Sequence, residues 1–513
     1  MRAWKPAPPI GTADQVRELE KRLIEGWAFP AELLMERAAL ALLHVIEAQH
    51  PGAPVVVLAG TGHNAGDGLA LARMLADRGR TVRVLRVGAA PGEMASRQLK
   101  WLARRDVPAK LFAGSETFGP EWVLVDALFG IGLDRPLKSD AALAIEWVNR
   151  QAWRAVVAVD LPSGLHADTG QALGAAINAS LTVAIGVLKP GLLADSALRH
   201  VGQLWLADIG FPAHFTDALP GRLNAPVPMP MVPPDAHKGT MGSVMIVAGS
   251  PTMSGAAILA TRAACRTGVG LVYLAIPASQ REMAAAAVPE AIVLPLPESD
   301  GQLSEDAATV LAPHLPRLRA LAIGPGMGHT ERVTALVNRL LAQYAGPVVL
   351  DADALPRAGQ RLPEREGPIV MTPHAGELAR MFGQSGEEVQ RNRLKFGLEA
   401  AAMHQATVVF KGARTLIARP DGHYGINTTG TPMLATAGSG DVLAGLTAGL
   451  LARGMSAFEA ASTGVWAHGR AAEAAKDAGM VSLMAGDIVD RVPHVLGHHE
   501  APSANLGDAH RIR

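Results

Sequence analysis

The sequence predicts an α/β protein of two domains, and three observations carry that reading. At 513 residues the chain exceeds what one hydrophobic core ordinarily organises. Short apolar runs alternate with helix-patterned segments along both halves, as the strands of a parallel sheet alternate with crossover helices. Between the halves lies ALPGRLNAPVPMPMVPPDA, residues 218–236, whose prolines remove backbone donors and exclude helix interiors and central strands. The expected divisions are a first domain over 1–218, a linker over 219–231, a second domain over 232–495 and a polar tail over 496–513.

The elements run in order along the chain. PAELLMERAALALLHVIEAQH (30–50) places apolar residues at three- and four-residue spacing and predicts an amphipathic helix. VVVLAG (55–60), TVRVLRV (81–87), WVLVDAL (122–128) and AVVAVD (155–160) read as strands, with GLALARMLADRG (68–79) as one of the helices between them. After the linker, SVMIVAGS, LVYLAIP, ALAIGPG, PVVLDADAL, PIVMTPH and TVVFKG repeat the pattern. Ligands of open α/β sheets sit beyond the carboxyl ends of the strands, so the chemistry is sought in the residues just after each strand.

Composition narrows the function classes. With 47 basic and 47 acidic residues and no block of like charge, a nucleic-acid partner or a membrane-binding face is not expected. The single Cys265 excludes an intrachain disulfide and suits a reducing compartment; in the apolar stretch ILATRAACRTG it reads as a structural thiol. The opening MRAWKPAPPI lacks the apolar core of a signal peptide, and no run of roughly 18 apolar residues occurs, so a soluble cytoplasmic protein is expected. Abundant Ala and Gly suggest close helix packing.

In the first half, VVVLAG runs into TGHNAGDGLALARML. Gly60, Gly62, Gly66 and Gly68 are read as a tight turn that presents N–H groups to a phosphate, although an ordinary strand-to-helix turn accounts for them equally well. Two further strand ends carry acids: Asp126 in WVLVDALFGIGLDRP, and Asp160, with Ser163 close behind, in AVVAVDLPSGLHADTG. Singly, Asp126 and Asp160 could be caps and Asn64 could close an Asx-turn. Together, Asn64, Asp126 and Ser163 offer a hard cation a side-chain carbonyl, a carboxylate and a hydroxyl.

GTGHNAGDG, VDALFGIGL, VDLPSG, DTG and LKPG, in this order, resemble the epimerase domain of the bifunctional NAD(P)H-hydrate repair enzymes over roughly residues 10–215. The resemblance implies a Rossmann-like fold that interconverts the R and S epimers of NADHX and NADPHX, nicotinamide cofactors hydrated at C6. It further implies K⁺ on Asn64, Asp126 and Ser163. Substrate contacts would come from His63, Asn64, Ala65, Gly66 and Asp67, from Gly130, Ile131, Gly132, Leu133, Asp134, Arg135 and Pro136, and from Asp160 as acid/base. His63 and Ala65 stand where the usual pattern has Asn and Gly.

In the second half, DAHKGTMGSVMIVAGS, SGAAILATRAA, GPGMG (324–328), TPHAGE (372–377), KGART (411–415) and NTTGTPMLATAGSGDVLAG (427–445) succeed one another. The Gly-Ser-Gly turn before Asp441 opens an apolar helix, whose first N–H groups attract anions. Asp441 alone could be a cap. Beside an anion site, it also suits a base that deprotonates a hydroxyl attacking a phosphoryl group. No GxxxxGK[ST] motif accompanies it, against a Walker-type fold.

This half resembles the ribokinase-like superfamily, and within it the ADP- or ATP-dependent NAD(P)H-hydrate dehydratases, over roughly residues 230–495. The resemblance implies phosphorylation of the 6-hydroxyl of the S epimer and elimination of phosphate, restoring NADH or NADPH. Ala256, Gly326, Gly328, His374 and Asp441 would contact the hydrate; Lys411, Gly412, Ala413, Arg414, Thr415 and Gly440 would bind the nucleotide. Mg²⁺ is the expected phosphate counter-ion, with Asp351 and Asp353 as candidates to hold it, helix capping being the equal alternative. A homo-oligomer is expected. The rival readings are a ribokinase-like small-molecule kinase fused to a regulatory dinucleotide-binding module, and a first half that only senses or docks.

Overall fold

The computed structural model describes residues 7–88, 90–137, 139–497, 505–506 and 509–512. Contacts divide it into two compact units, 1–222 with 501–513, and 223–500. The division between Arg222 and Leu223 falls inside the stretch expected to be the linker.

The first unit is built on β1 (Val55–Ala59), β2 (Val82–Arg86), β3 (Ala109–Leu111), β4 (Val123–Ala127), β5 (Ala155–Val159), β6 (Leu181–Ile185) and β7 (Gln203–Ala207). They lie side by side in the order β3-β2-β1-β4-β5-β6-β7, all parallel. Strands β1, β4 and β5 are buried along their whole length, which is why they read as unbroken apolar runs. This is a Rossmann-like sheet, and its order reverses between β1 and β4, the switch point at which such sheets form their ligand crevice. The expected amphipathic helix is Ala31–Gln49, and the helix after β1 is His63–Asp77.

Part of the expected polar tail is ordered differently. Ala509–Ile512 pairs antiparallel with β7, covering an edge that would otherwise present unpaired backbone groups. Four residues, AHRI, with only Ala509 buried, give too short and polar a pattern to be read as a strand. Residues 498–504, 507–508 and 513 of that tail lie outside the described residues.

The second unit contains β8 (Ser243–Val247), β9 (Leu271–Pro277), β10 (Ile292–Leu296), β11 (Ala320–Ile323), β12 (Val348–Leu350), β13 (Ile369–Met371), β14 (Thr407–Phe410), β15 (Leu416–Ala418) and β16 (Tyr424–Ile426). Their order is β10-β9-β8-β11-β12-β13-β14-β15-β16, parallel except for the last two pairs. This ribokinase-like α/β sheet reverses its order between β8 and β11. Helix Ser439–Ala452 is buried almost throughout and lies so close to helix Ser254–Cys265 that a Cβ on Gly445 would sit 1.9 Å from the Ala260 carbonyl oxygen. Here the small residues of the composition have their packing role. Among the described residues, no helix is long and apolar enough to cross a membrane.

Candidate active sites

The switch point of the first unit gathers the expected oxygen trio. Asp126, one residue from the end of β4, is fully buried; its Oδ1 accepts the Ser163 hydroxyl at 2.6 Å and its Oδ2 the Ser163 N–H at 2.7 Å. Asn64, on the first turn after β1, donates its amide to the Phe129 carbonyl at 3.0 Å, and the Phe129 N–H donates to Ser163 Oγ at 2.9 Å. One strand end and two post-strand turns thus meet around Phe129. Burial pushes Asp126 up to about 6 against the opposing pull of the Ser163 and Leu128 hydrogen bonds.

Asp160 comes directly after β5, at φ +67°, a left-handed conformation that Asp tolerates better than most residues. Its Oδ1 accepts the Ile185 N–H at 2.9 Å and pairs with Lys189, which is almost wholly buried. Lys189 also donates to the Ile185 carbonyl at 3.0 Å. Asp67 on helix His63–Asp77 is raised well above the ordinary carboxylate range, first by burial and then by Asp160 and Glu20. Gly130 lies against Asn64, and Arg17 holds the Ile131 carbonyl at 3.1 Å. From there Gly132, Leu133, Asp134, Arg135 and Pro136 continue the loop along the surface.

In the second unit, the loop after β11 turns through Gly326 at φ +65°, where a Cβ would stand 3.1 Å from that of Ala256. The loop's Gly328 N–H donates to Asp353 at 2.6 Å. His374 caps helix Ala375–Phe382: its Nδ1 accepts the N–H groups of Gly376 and Glu377, while Glu377 accepts the His374 N–H at 2.7 Å. Lys411 pairs with Asp351 at 2.9 Å and Glu377 at 3.6 Å, and Thr372 donates to Asp351 at 2.6 Å. A Cβ on Gly440 would lie 3.4 Å from Lys411 Nζ, so the Gly-Ser-Gly turn sits over this network. Gly412 and Ala413 are exposed, Thr415 donates to the Gly412 carbonyl at 3.0 Å, and Arg414 donates to the Thr428 carbonyl at 2.7 Å.

Asp441 occupies the first turn of helix Ser439–Ala452, after Gly438 at φ +84°. Burial, with Asp351, Asp353 and Glu377 nearby, raises it to about 7 despite Lys411. A carboxyl poised there at a helix N-terminus can accept a proton at neutral pH while the adjoining N–H groups hold an anion.

Residues 31–191 match the family described as YjeF-related protein N-terminus, and residues 244–494 match NAD(P)H-hydrate dehydratase. The bifunctional NAD(P)H-hydrate repair enzyme of Moorella thermoacetica is 37% identical over 95% of this chain and 97% of its own. The chain belongs to the bifunctional NAD(P)H-hydrate repair enzyme family. The enzymes of the same description from Thermofilum pendens and Gloeobacter violaceus are 36% and 39% identical, over 95% and 90% of this chain and 96% and 92% of theirs.

In this repair-family chain the glycines after β1 differ from the turn read in the sequence. Gly66 and Gly68 lie inside helix His63–Asp77, and none of Gly60, Gly62, Gly66 and Gly68 has a positive φ. For Gly60 and Gly68 the reason is closeness: a Cβ on Gly60 would meet the Leu128 carbonyl oxygen at 2.2 Å, and one on Gly68 the Ala127 Cβ at 2.4 Å, whereas one on Gly62 would meet nothing within 4 Å. Ala65 is fully buried in the core beside them, and His63 is exposed.

Three groups escaped the sequence reading. Lys189 stands in the quoted LKPG, but nothing local marks it as the partner of Asp160. Glu20 lies in ADQVRELEK, outside any motif; burial raises its carboxyl, with Lys189, Asp160 and His63 close enough to act on it. His468, buried in mid-helix, has Nε2 3.0 Å from the Ser439 carbonyl oxygen, and burial lowers it to about 4, so it is neutral and donates there. Only the fold brings these residues to the sites. Cys265 is half-buried, and burial pushes its thiol up to about 11, far from a nucleophile's range.

Proposed function

We propose that this bifunctional enzyme repairs hydrated nicotinamide cofactors in two steps. The first unit epimerises R and S NADHX and NADPHX. The second uses ADP or ATP to phosphorylate the 6-hydroxyl of the S form, and loss of phosphate restores the C5–C6 double bond. The observation that carries this reading is Asp441: a carboxyl held near 7 on the first turn of a helix whose free N–H groups suit a transferring phosphoryl group. Gly326, Ala256, Gly328 and His374 would place the hydrate, and the Lys411–Thr415 segment with Gly440 the nucleotide. Lys411 is ion-paired with Asp351 and Glu377, so we assign it to holding this wall and its charge balance beside the phosphates.

In the first unit, Asp160, fixed by Lys189 and Ile185, is the proposed acid/base. K⁺ fits Asn64, Asp126 and Ser163: among the described residues the buried Asp126 carboxylate is hydrogen-bonded to a hydroxyl and backbone N–H groups and has no cationic side chain to neutralise it. The ion would supply that charge and hold the oxygens in place. Asp353 spends both oxygens on Gly328 and His329, and Oδ1 of Asp351 carries Lys411 and Thr372, so the pair offers Mg²⁺ at most Asp351 Oδ2. Among the described residues no three His, Cys, Asp or Glu side chains cluster as a metal site. Mg²⁺ would therefore come with the nucleotide phosphates.

The test is to incubate the protein with mixed hydrate epimers, nucleotide and Mg²⁺, monitoring reduced-nicotinamide absorbance and inorganic phosphate together. Equimolar recovery of both is expected. A phosphorylated metabolite accumulating without reduced cofactor would establish the kinase reading instead. Replacing K⁺ with a bulky organic cation should slow conversion of the R fraction only.

A further inference from the structure

Beyond the loop that would hold the hydrate, the second unit contains a cleft of about 130 Å³. It lies between helix Glu331–Gln343 and the segment just after β12. Thr334 and Asn338, one helical turn apart, line it together with His329, Asp353, Arg357 and Arg361. A turn fixes the segment that bears the arginines: the Arg357 N–H donates to Gln360 Oε1 and the Gln360 N–H to the Arg357 carbonyl, each at 2.9 Å. Asp353 links the cleft to the active site. Asp353 accepts the Gly328 N–H at 2.6 Å and pairs with His329 at 2.9 Å, and its charge is felt by Asp441.

The charges favour an anion beside the arginines. Asp353, the carboxylate in the lining, is taken up by His329 and Gly328, whereas among the described residues neither Arg357 nor Arg361 is ion-paired to a carboxylate. Arg357 and Arg361 are exposed, and a guanidinium presents paired N–H donors that match a phosphate. The Asn338 amide in the lining supplies a further donor. The volume is well below the roughly 300–1,000 Å³ of clefts that enclose a whole ligand, so it fits one group of a larger molecule.

We propose that this cleft is a phosphate subsite for the hydrate, with Arg357 and Arg361 binding a phosphate of the dinucleotide while the hydrated ring reaches Asp441. The assignment rests on reading the second unit as a hydrate dehydratase. The dinucleotide offers two sources, the pyrophosphate of both hydrates and the additional ribose phosphate of NADPHX. Either would fix the far end of the substrate and leave the reacting carbon free.

The test uses the full chain and the variant carrying R357A and R361A, with R357K and R361K as the charge-preserving control. Binding of NADPHX and of NADHX is measured without nucleotide, and KM and kcat for each hydrate and for ADP with it. The alanine variant should bind NADPHX about tenfold more weakly or worse, the size expected for losing charge-assisted hydrogen bonds. Its kcat and its KM for ADP should stay unchanged, and the lysine variant should recover part of the loss. Weakening confined to NADPHX assigns the ribose phosphate; equal weakening of both hydrates assigns the pyrophosphate. Unchanged hydrate binding, or a rise in the KM for ADP alone, overturns the subsite. Wild-type protein that binds the hydrates tightly through these arginines but never releases reduced cofactor would overturn the dehydratase reading and leave the subsite standing.

Discussion

Asp441 is the residue at which charge and the proposed function meet. Its carboxyl sits near 7 because burial and three neighbouring carboxylates outweigh Lys411. In the unfolded chain it would ionise near the ordinary carboxylate value of about 4. Between those values the folded state holds a proton that the unfolded chain has released, so this group's contribution to stability falls as pH rises from about 4 to about 7 and stays unfavourable above. Asp441→Asn should therefore raise the melting temperature at pH 8 and leave it nearly unchanged at pH 4, which calorimetry at the two pH values would check. The same substitution should lower dehydration by about 10²–10⁴-fold, the contribution of a general base. Wild-type turnover should climb with pH through about 7 and level off above it, since the base must be ionised. A variant with near-normal kcat, or a wild-type profile falling across this range, would remove Asp441 from the chemistry.

At the level of elements, the first site depends on how closely helix His63–Asp77 approaches β1 and β4, since that distance sets Asn64 over Phe129. Gly68 permits the approach: its added Cβ would lie 2.4 Å from the Ala127 Cβ and 3.2 Å from Val57 Cγ1. Gly68→Ala should cost about 1–3 kcal/mol by overpacking and slow epimerisation more than dehydration, as separate assays of R-epimer loss and S-epimer turnover would reveal. Equal effects on both would mean that the helix position does not set the first site. This element also marks how far the sequence was legible. The buried strands β1, β4 and β5 announced themselves as apolar runs, and the acids at their ends came with them because a parallel sheet delivers every carboxyl end to one edge. Gly60 and Gly68 were noticed for the wrong reason, since spacing does not separate a turn-former from a residue that lets two backbones touch. Strands β3, β6, β7, β10, β15 and β16 passed unread, as did the N-terminal helix Ala13–Lys21 that carries Arg17 and Glu20. Its charged residues gave no motif, and its role comes from where the fold places it.

For the whole molecule, the question is why two unlike active sites share a chain. As the proposed base, Asp441 is fixed in a helical turn and would align with only one configuration at C6, because in-line transfer tolerates little misplacement. The second unit should then consume the S epimer alone, and the R epimer must be supplied through the first. The chain order bears on how to test this, since the first unit comprises 1–222 together with 501–513. Cutting at the proline-rich stretch would strip the first unit of the strand Ala509–Ile512 that covers β7, so intact chains carrying one lesion each are the sounder tool. Full-length Asp160→Asn, given both epimers and nucleotide, should convert the S fraction promptly and then stall at the slow spontaneous epimerisation rate. Full-length Asp441→Asn should yield almost no reduced cofactor. Mixing the two should restore complete conversion without changing the initial rate of the first, because the epimers are free small molecules that can pass from one protein to the other. Complete conversion by Asp160→Asn alone would dismiss Asp160 as the acid/base. A stall that the added Asp441→Asn protein does not relieve would mean that the first site of this chain, with His63 and Ala65 at its helix start, does not epimerise.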